Sequence, residues 1–287
     1  MKIRQDGSDL VVTTHNFSLV DTLDCGQCFR WWRVPSPVLN ENIMTGVVAN
    51  KLQTISQTGD QLVFFNTTSD EFYSVWQNYF DFSTNYDAIK LVLCKDETIN
   101  KACEYAGGIR LLRQDPWETL ASFIISQNNN IPRIKSSIKK LCATFGEQIS
   151  DDVFTFPTAQ KIAHADKSML SSLSLGYRDD YLLDCSTKIA SGQIELEKIF
   201  DMDLALARET LRKIKGVGPK VAECALLFGF YKMSAFPVDT WMKKALSYFY
   251  SDGFPEFASQ YAGIAQQYIF HYIRTCKDAI PTYLLKK

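Results

Sequence analysis

Apolar and polar positions alternate in short runs over the first 68 residues, a pattern typical of β-strands. Gly, Pro and Asn turn signals separate the runs. The pattern predicts strands at residues 10–12, 29–34, 45–48, 52–56 and 62–65. The last two flank a polar turn at residues 57–60, so we expect a hairpin and an antiparallel sheet.

From Ser69 the apolar spacing becomes helical, and residues 71–76 and 86–105 suit helices packed on that sheet. Gly107-Gly108 marks a boundary, after which caps such as Asp115-Pro116 open a series of helices. These helices are expected at residues 115–127, 131–146, 158–163, 178–191, 203–214, 219–228, 240–250 and 257–276. The prediction is an α+β protein with an N-terminal antiparallel sheet domain at residues 1–109 and an all-α domain at residues 110–287.

Length and composition are those of an ordinary folded protein, with 287 residues of which 46% are hydrophobic. No run approaches the roughly 18 apolar residues of a membrane span, and the first residues lack the apolar stretch of a signal peptide. We therefore expect an intracellular protein, in the cytoplasm and nucleoid or in the nucleus, with no membrane partner.

Charge is distributed unevenly although the net charge is only −1. Residues 1–109 contain 8 Lys and Arg against 13 Asp and Glu, whereas residues 110–287 contain 23 against 19. The excess of positive charge in the second part permits a nucleic-acid surface there, although a solvated charged face gives the same count.

Eight cysteines are spread along the chain, and a chain of this size folds without disulfides, so we expect reduced thiols. Cys25 and Cys28 form the C-x-x-C pair. Neither a second pair nor a histidine lies near them in the sequence to complete a zinc site, so no metal site is expected. Packing is favoured over redox chemistry for this pair.

The most informative segment is a helix that ends at Lys215, a glycine turn, and a second helix that begins at Pro219. The glycines of the turn permit a tight hairpin, and proline suits the first position of a helix. Backbone N–H groups at Gly216, Val217 and Gly218 then form, with Lys215, an anion site suited to a DNA phosphate. An ordinary turn between two helices is the alternative.

This hairpin, followed by the Pro237-Val238-Asp239 turn, resembles the helix-hairpin-helix DNA glycosylase superfamily. The resemblance implies Lys220 as the nucleophile and Asp239 as its carboxylate partner. A neutral amine can attack the sugar C1′, expel the base and leave a Schiff base. A free lysine has a pKa of ~10.4, so the chemistry requires surroundings that favour the neutral amine, and the first turn of a helix beside other cations acts in that direction. Asp239 is also a natural helix N-cap, and the two roles are compatible.

Three further segments are similar to the 8-oxoguanine DNA glycosylase family: Cys25-Gly26-Gln27-Cys28-Phe29-Arg30-Trp31, Ser126-Gln127-Asn128-Asn129-Asn130-Ile131-Pro132-Arg133-Ile134 and Leu175-Gly176-Tyr177-Arg178. The resemblance implies a TBP-like N-terminal sheet domain. It further implies a monomeric enzyme that flips an oxidised purine out of duplex DNA, excises it opposite cytosine and cleaves the strand by β-elimination. No cofactor is required, although hairpin carbonyls are candidate ligands for a monovalent cation.

The family resemblance also assigns the residues that recognise the base. Gly26 would offer its carbonyl to N7–H of 8-oxoguanine, which is an acceptor in guanine. Gln266 would contact the Watson–Crick edge, and Cys224 and Phe270 would pack on opposite faces of the base. Taken alone, Phe270 suits core packing and Gln266 suits a solvated surface.

Four residues are implied to fill the gap that the flipped nucleotide leaves. Asn128, Arg133 and Arg178 would hold the unpaired cytosine, and Tyr177 would be the wedge in the base stack. One position departs from the family pattern: Trp241 stands where a phosphate-contacting histidine is common.

Two alternatives remain at this stage. An alkylpurine glycosylase of the same superfamily hydrolyses with the aspartate and lacks the lysine, so Lys220 argues against it. A non-catalytic helix-hairpin-helix DNA-binding protein would not need Lys220, Asp239, Gly26 and Gln266 together. An endonuclease III type enzyme needs a four-cysteine iron-sulfur cluster near the C-terminus, and only Cys276 lies beyond Cys224.

Overall fold

A computed structural model describes residues 1–276 and 278–281. The N-terminal part is a six-stranded antiparallel sheet with the order β1-β2-β6-β5-β4-β3. A small two-stranded sheet of β7 and β8 lies further along the chain. The strands are β1 (Lys2–Asp6), β2 (Asp9–Thr13), β3 (Trp31–Val34), β4 (Asn42–Val48), β5 (Lys51–Thr58), β6 (Gln61–Phe64), β7 (Gln148–Ser150) and β8 (Val153–Phe154).

The helices flank the sheet and form the rest of the protein. They are α1 (Leu19–Asp24), α2 (Ser69–Glu71), α3 (Gln77–Tyr79), α4 (Tyr86–Leu93), α5 (Glu97–Ala106), α6 (Pro116–Ser126), α7 (Ile131–Phe145), α8 (Ala159–Ala163), α9 (Lys167–Ser172), α10 (Arg178–Ala190), α11 (Leu196–Ile199), α12 (Leu204–Arg212), α13 (Pro219–Phe228), α14 (Thr240–Phe249) and α15 (Ala262–Thr275). A π-helical turn at Phe72–Trp76 joins α2 to α3, and a 3₁₀ helix at Glu256–Tyr261 precedes α15.

Register in the sheet depends on one close approach between β3 and β4. Trp31 pairs with Gly46, and a Cβ on Gly46 would lie 2.2 Å from the Trp31 ring. Glycine is therefore the residue that lets the indole lie flat on β4. The indole Nε1 donates to the Tyr79 hydroxyl at 2.8 Å, so the same tryptophan ties the sheet to α3.

Buried side chains form three hydrophobic clusters. One lies between the sheet and the α2–α3 segment, and another fills the helical part between α6 and Ala235. The third joins α4 and α5 to α14 and α15, with Ile89 and Ile99 from one side packed among residues such as Tyr268 and Ile269 from the other. Because this third cluster combines both ends of the chain, α15 is held beside the N-terminal sheet domain.

The structure confirms an N-terminal antiparallel sheet followed by a helical part. The proposed boundary at residue 109 stays a prediction. Two predicted helices are divided in the structure. Residues 86–105 contain α4 and α5, because Asp96 caps a new helix by accepting from the Ile99 N–H. Residues 257–276 begin as a 3₁₀ helix. The strand expected from residue 29 begins at Trp31. The expectations missed β1, α1, the β7–β8 hairpin, α9 and α11, all of them six residues or shorter.

Candidate active site and DNA-binding surface

Gly216 turns the chain between α12 and α13 with a φ of +79°. A Cβ at this position would lie 2.1 Å from the Tyr181 ring, so the hairpin admits only glycine there. Gly218 precedes Pro219 as the N-cap of α13 and offers no side chain to the first-turn N–H groups. The predicted hairpin is therefore present, and the N-terminus of α13 has no side-chain cap.

Basic residues surround this turn. Lys188, Arg212, Lys213 and Lys215 line, with residues 216–218, an open cleft of about 510 Å³. Asp184 shapes the turn by accepting hydrogen bonds from the Lys215 backbone N–H at 2.7 Å and from Lys188 Nζ at 2.8 Å. The Val217 N–H donates to the Ile214 carbonyl at 3.1 Å, so this predicted phosphate donor is already used within the turn. The helix N-terminus and the cations remain suited to a phosphate. Binding of a monovalent cation by the hairpin carbonyls stays a prediction.

Lys220 lies in the first turn of α13 and is half-buried. Its Nζ lies 5.1 Å from the centroid of the buried Phe123 ring, and its neighbour one turn along is the Cys224 thiol. Burial raises the pKa of Cys224 to about 11, against the opposing effects of the Lys220 charge and a hydrogen bond to Lys220. No carboxylate lies within ion-pair distance of Lys220 in the described part of the chain. The amine thus lies near an aromatic ring and a thiol that burial keeps neutral, at the edge of an open cleft.

Asp239 is the N-cap of α14, where its Oδ1 accepts from the Met242 N–H at 2.8 Å. The capping role expected from the sequence is confirmed. Asp239 and Lys220 both line one cleft of about 440 Å³, together with Asn128 and Lys243. The structure therefore brings the predicted nucleophile, its carboxylate partner and one predicted cytosine contact to the same opening.

Gly26 and Phe270 meet although they lie near opposite ends of the chain. Gly26 has a φ of +87°, and a Cβ there would lie 3.7 Å from the Phe270 ring and 4.0 Å from Ile131. No donor within the described residues reaches the Gly26 carbonyl, which is free to accept a hydrogen bond from a ligand. Gln266, one turn before Phe270 on α15, is buried and accepts from Gln267 Nε2 at 2.8 Å.

The C-x-x-C segment has a packing role. Cys25 and Cys28 are buried, and their thiols donate to the carbonyls of Thr22 and Leu23, both at 3.3 Å. Burial raises the pKa of Cys25 to about 12 and that of Cys28 well above its usual range. All eight cysteines are free thiols. The segment therefore presents the Gly26 backbone while its flanking thiols stay neutral and inward.

The predicted opposite-base residues separate into two groups. Asn128 and Tyr177 are exposed and joined by a hydrogen bond of 2.9 Å from Asn128 Nδ2 to the Tyr177 hydroxyl. Arg133 is exposed on the first turn of α7. These three side chains are accessible to DNA, as their predicted roles require.

Arg178 departs from the expectation that its guanidinium is available to cytosine. It is only 7% exposed, and it donates to the carbonyls of Gln127, Asn128 and Leu175. The Arg178 Cζ lies 4.6 Å from the centroid of the Tyr177 ring. The described structure therefore gives Arg178 a supporting role: it holds the turn that carries Asn128. The local sequence does not reveal this, because the Gln127 and Asn128 carbonyls lie at the end of α6.

Two residues of the site were not predicted. Lys243 lines the cleft beside Asp239 and is exposed, whereas the nearby Trp241 packs against the third cluster. Glu223, a carboxylate in the buried helix α13, contacts the turn that leads to Asp239. A single acidic residue within the apolar run of residues 221–228 was the available signal for Glu223.

Within residues 1–276 and 278–281, no group of three or more His, Cys, Asp or Glu side chains is placed to hold a metal ion. No helix in the same ranges is long and apolar enough to cross a membrane.

Comparison with known proteins agrees with this architecture. Residues 9–120 match the family model of the 8-oxoguanine DNA glycosylase N-terminal domain, and residues 121–254 match the HhH-GPD superfamily of base excision DNA repair proteins. The fold and site thus define a helix-hairpin-helix DNA glycosylase architecture. The chain belongs to the 8-oxoguanine DNA glycosylase family of this superfamily.

Three similar proteins illustrate the relationship. An N-glycosylase/DNA lyase of Saccharomyces cerevisiae is 40% identical over 147 residues, which cover 46% of this chain and 39% of the relative. A probable N-glycosylase/DNA lyase of Methanothermobacter thermautotrophicus is 30% identical over 63% of this chain and 68% of the relative. The 8-oxoguanine glycosylase/lyase of Clostridium acetobutylicum, solved with double-stranded DNA containing cytosine opposite 8-oxoguanine, superposes with a TM-score of 0.87 at 36% identity, over 96% of this chain and 98% of that one.

Proposed function

We propose that the protein is a bifunctional DNA glycosylase and AP lyase that removes 8-oxoguanine from duplex DNA, preferably opposite cytosine. The observation that carries the proposal is the shared cleft, in which Lys220 and Asp239 face one opening beside the predicted cytosine contact Asn128. Membership of the 8-oxoguanine family and the names of the relatives support the substrate. We further propose that the protein acts as a monomer inside the cell.

The chemistry assigns one role to each of the two residues. The neutral Lys220 amine attacks the sugar C1′ while the bond from C1′ to N9 breaks, and the purine leaves with the bonding electrons and takes up a proton. The Asp239 carboxylate stabilises the positive charge that develops at C1′ in that step. Loss of a proton from nitrogen and opening of the sugar ring then give a Schiff base between Lys220 and C1′.

The lyase step follows from the Schiff base. Removal of a proton from C2′ allows the bond between C3′ and its phosphate oxygen to break, so the strand is cleaved by β-elimination. Water then releases Lys220 from the unsaturated sugar. A hydrolytic glycosylase would instead add water at C1′ and leave an intact strand with an abasic site.

An end-labelled duplex with one 8-oxoguanine:cytosine pair tests the proposal. The proposal predicts base release and strand cleavage without added alkali, and neither on a guanine:cytosine duplex. Lys220→Gln should abolish both reactions while binding persists, whereas Lys198→Gln, at an exposed lysine outside the cleft, should keep cleavage. Base release with cleavage only after alkali would support a hydrolytic enzyme, and binding without release would support a non-catalytic DNA-binding protein.

A further inference from the structure

Arg274 lies on α15 one turn after Phe270, and its guanidinium is only partly satisfied. The Nη2 group donates to the Asp24 carbonyl at 2.9 Å, and Cζ lies 5.3 Å from the Phe270 ring centroid. Nη1 is buried and has no hydrogen-bond partner in the described residues. Buried polar groups in native proteins are nearly always paired, so an unpaired guanidinium nitrogen indicates an acceptor that the protein itself does not supply.

The unpaired Nη1 lies beside the predicted base pocket. The nearest atom to a Cβ built on Gly26 is Arg274 Nη1, at 3.4 Å, followed by the Phe270 ring. The Gly26 carbonyl also lacks a partner in the described part of the chain. A donor without a partner therefore lies close to the Gly26 backbone, next to the aromatic ring that is predicted to stack on the flipped base.

Among residues 1–276 and 278–281, no carboxylate forms an ion pair with Arg274. The Asp24 side chain turns toward Lys135, with Oδ1 and Nζ 3.8 Å apart, and Asp24 offers Arg274 only its backbone carbonyl. The Cys25 thiol is also nearby, and burial keeps it neutral because its pKa rises to about 12. The bond to the Asp24 carbonyl gives Nη2 an acceptor, and the guanidinium packs on the Phe270 ring. Neither contact gives Nη1 an acceptor.

The chemistry of 8-oxoguanine matches this pair of groups. Its edge presents an acceptor at O6, a donor at N7–H and an acceptor at O8, in that order. If the Gly26 carbonyl accepts from N7–H, a donor close to Gly26 lies near the two oxygens that flank N7–H. Guanine has no O8 and carries an acceptor at N7, so it cannot satisfy both groups in the same way.

We propose that Arg274 is a base-recognition residue, whose Nη1 donates a hydrogen bond to one of the two carbonyl oxygens that flank N7–H of the flipped purine. The inference rests on the proposed function and extends it to a residue outside the recognised motifs. The contact is charge-assisted, and such hydrogen bonds are stronger than neutral ones.

Base-dependent binding separates this role from a structural one. In a Lys220→Gln background, affinity is measured for two duplexes, one with 8-oxoguanine opposite cytosine and one with a tetrahydrofuran abasic analogue opposite cytosine. Arg274→Leu should weaken binding of the 8-oxoguanine duplex by roughly 10- to 100-fold and change binding of the abasic duplex less than about twofold. Equal losses on both duplexes, or no loss on either, would overturn the proposal.

Two further variants keep the test interpretable if Arg274→Leu folds poorly. Arg274→Lys retains the charge and a donor, and it should recover part of the affinity for 8-oxoguanine. Arg4→Leu removes the same charge from an exposed strand residue, and it should leave both affinities at the wild-type level. The hydrogen bond would be contradicted if Arg274→Lys bound the 8-oxoguanine duplex as weakly as Arg274→Leu does while abasic binding stayed unchanged.

A second lesion identifies which oxygen is contacted. 8-Oxoadenine opposite cytosine keeps N7–H and O8 but carries an amino group at C6. Persistence of the Arg274→Leu effect on single-turnover release of 8-oxoadenine assigns the contact to O8, and its disappearance assigns the contact to O6. Failure of the proposed function is distinct, since the wild-type protein would then release no 8-oxoguanine at all.

Discussion

Glu223 accepts a hydrogen bond from the Phe236 backbone N–H at 2.7 Å through Oε2, and its other oxygen pairs with Arg208. Glu223 lies three residues after Lys220 on α13, and Phe236 begins the segment that ends at Asp239. The carboxylate therefore links the helix of the proposed nucleophile to the turn of its partner. Its side chain is only 12% exposed, so water competes weakly for this link.

Removal of that link should displace Asp239 relative to Lys220. We expect Glu223→Ala to lower the free energy of unfolding by about 2 kcal/mol, because it leaves the Phe236 N–H and Arg208 unpaired. The single-turnover rate of base release should fall by about tenfold or more. Urea unfolding and a rapid-quench assay measure the two effects, with the exposed neighbour Glu209→Ala as control. A stability loss with an unchanged rate would show that Glu223 does not position Asp239.

Asp239→Asn separates the capping role of Asp239 from its charge. Asparagine caps a helix about as well as aspartate, so thermal stability should change by less than about 0.5 kcal/mol. Loss of the negative charge near C1′ should lower single-turnover base release by about 100-fold. Asp239→Ala, by contrast, should also lose about 1 kcal/mol of stability. Full activity of the asparagine variant would refute the electrostatic role.

Arg133 should govern the choice of the base opposite the lesion, since it is exposed and forms no ion pair with any described residue. We expect Arg133→Ala to reduce the preference for cytosine over adenine opposite 8-oxoguanine by about tenfold, as loss of one base contact does. Ratios of single-turnover rates on the two duplexes give the preference. Lys140→Ala, exposed on the same helix, is the control. An unchanged ratio would assign the preference to other residues.

Buried thiols should make the protein sensitive to alkaline pH. Burial raises the pKa of Cys142 to about 12, whereas an unfolded thiol titrates near 8.5. The unfolded chain therefore loses this proton first, so the contribution to stability is complete below about pH 8.5 and is lost as pH rises toward 12. Between pH 8 and pH 10, the stability of Cys142→Ala in urea unfolding should fall by about 2 kcal/mol less than that of the wild type. The buried, non-titrating neighbour Ser137→Ala should keep the wild-type slope, and an identical slope in Cys142→Ala would contradict the assignment.

Local signals in the sequence were sufficient for part of this structure. The glycine hairpin before Lys220 and the cap at Asp239 depend on neighbouring residues, so they could be predicted with their elements. Contacts between distant segments could not. The approach of Arg274 to Gly26 follows from the packing of α15 on the N-terminal part, and nothing in the local sequence at either position indicates it.

The contacts of the Arg178 guanidinium also could not be predicted from the local sequence. Its position in a family motif implied a contact with cytosine, while its burial and its bonds to the Gln127 and Asn128 carbonyls result from the packing of α10 against the end of α6. A motif identifies the residue, but tertiary packing decides which of its donors remain available.

Identification of the lysine that becomes covalently attached to DNA tests whether Lys220 is the nucleophile. The wild-type protein is incubated with an 8-oxoguanine:cytosine duplex and borohydride, which reduces a Schiff base to a stable amine, and the adduct is mapped by peptide mass spectrometry. The account predicts a single adduct on Lys220 and none in Lys220→Gln. Base release without an adduct, or an adduct on Lys243 with Lys220 intact, would contradict it.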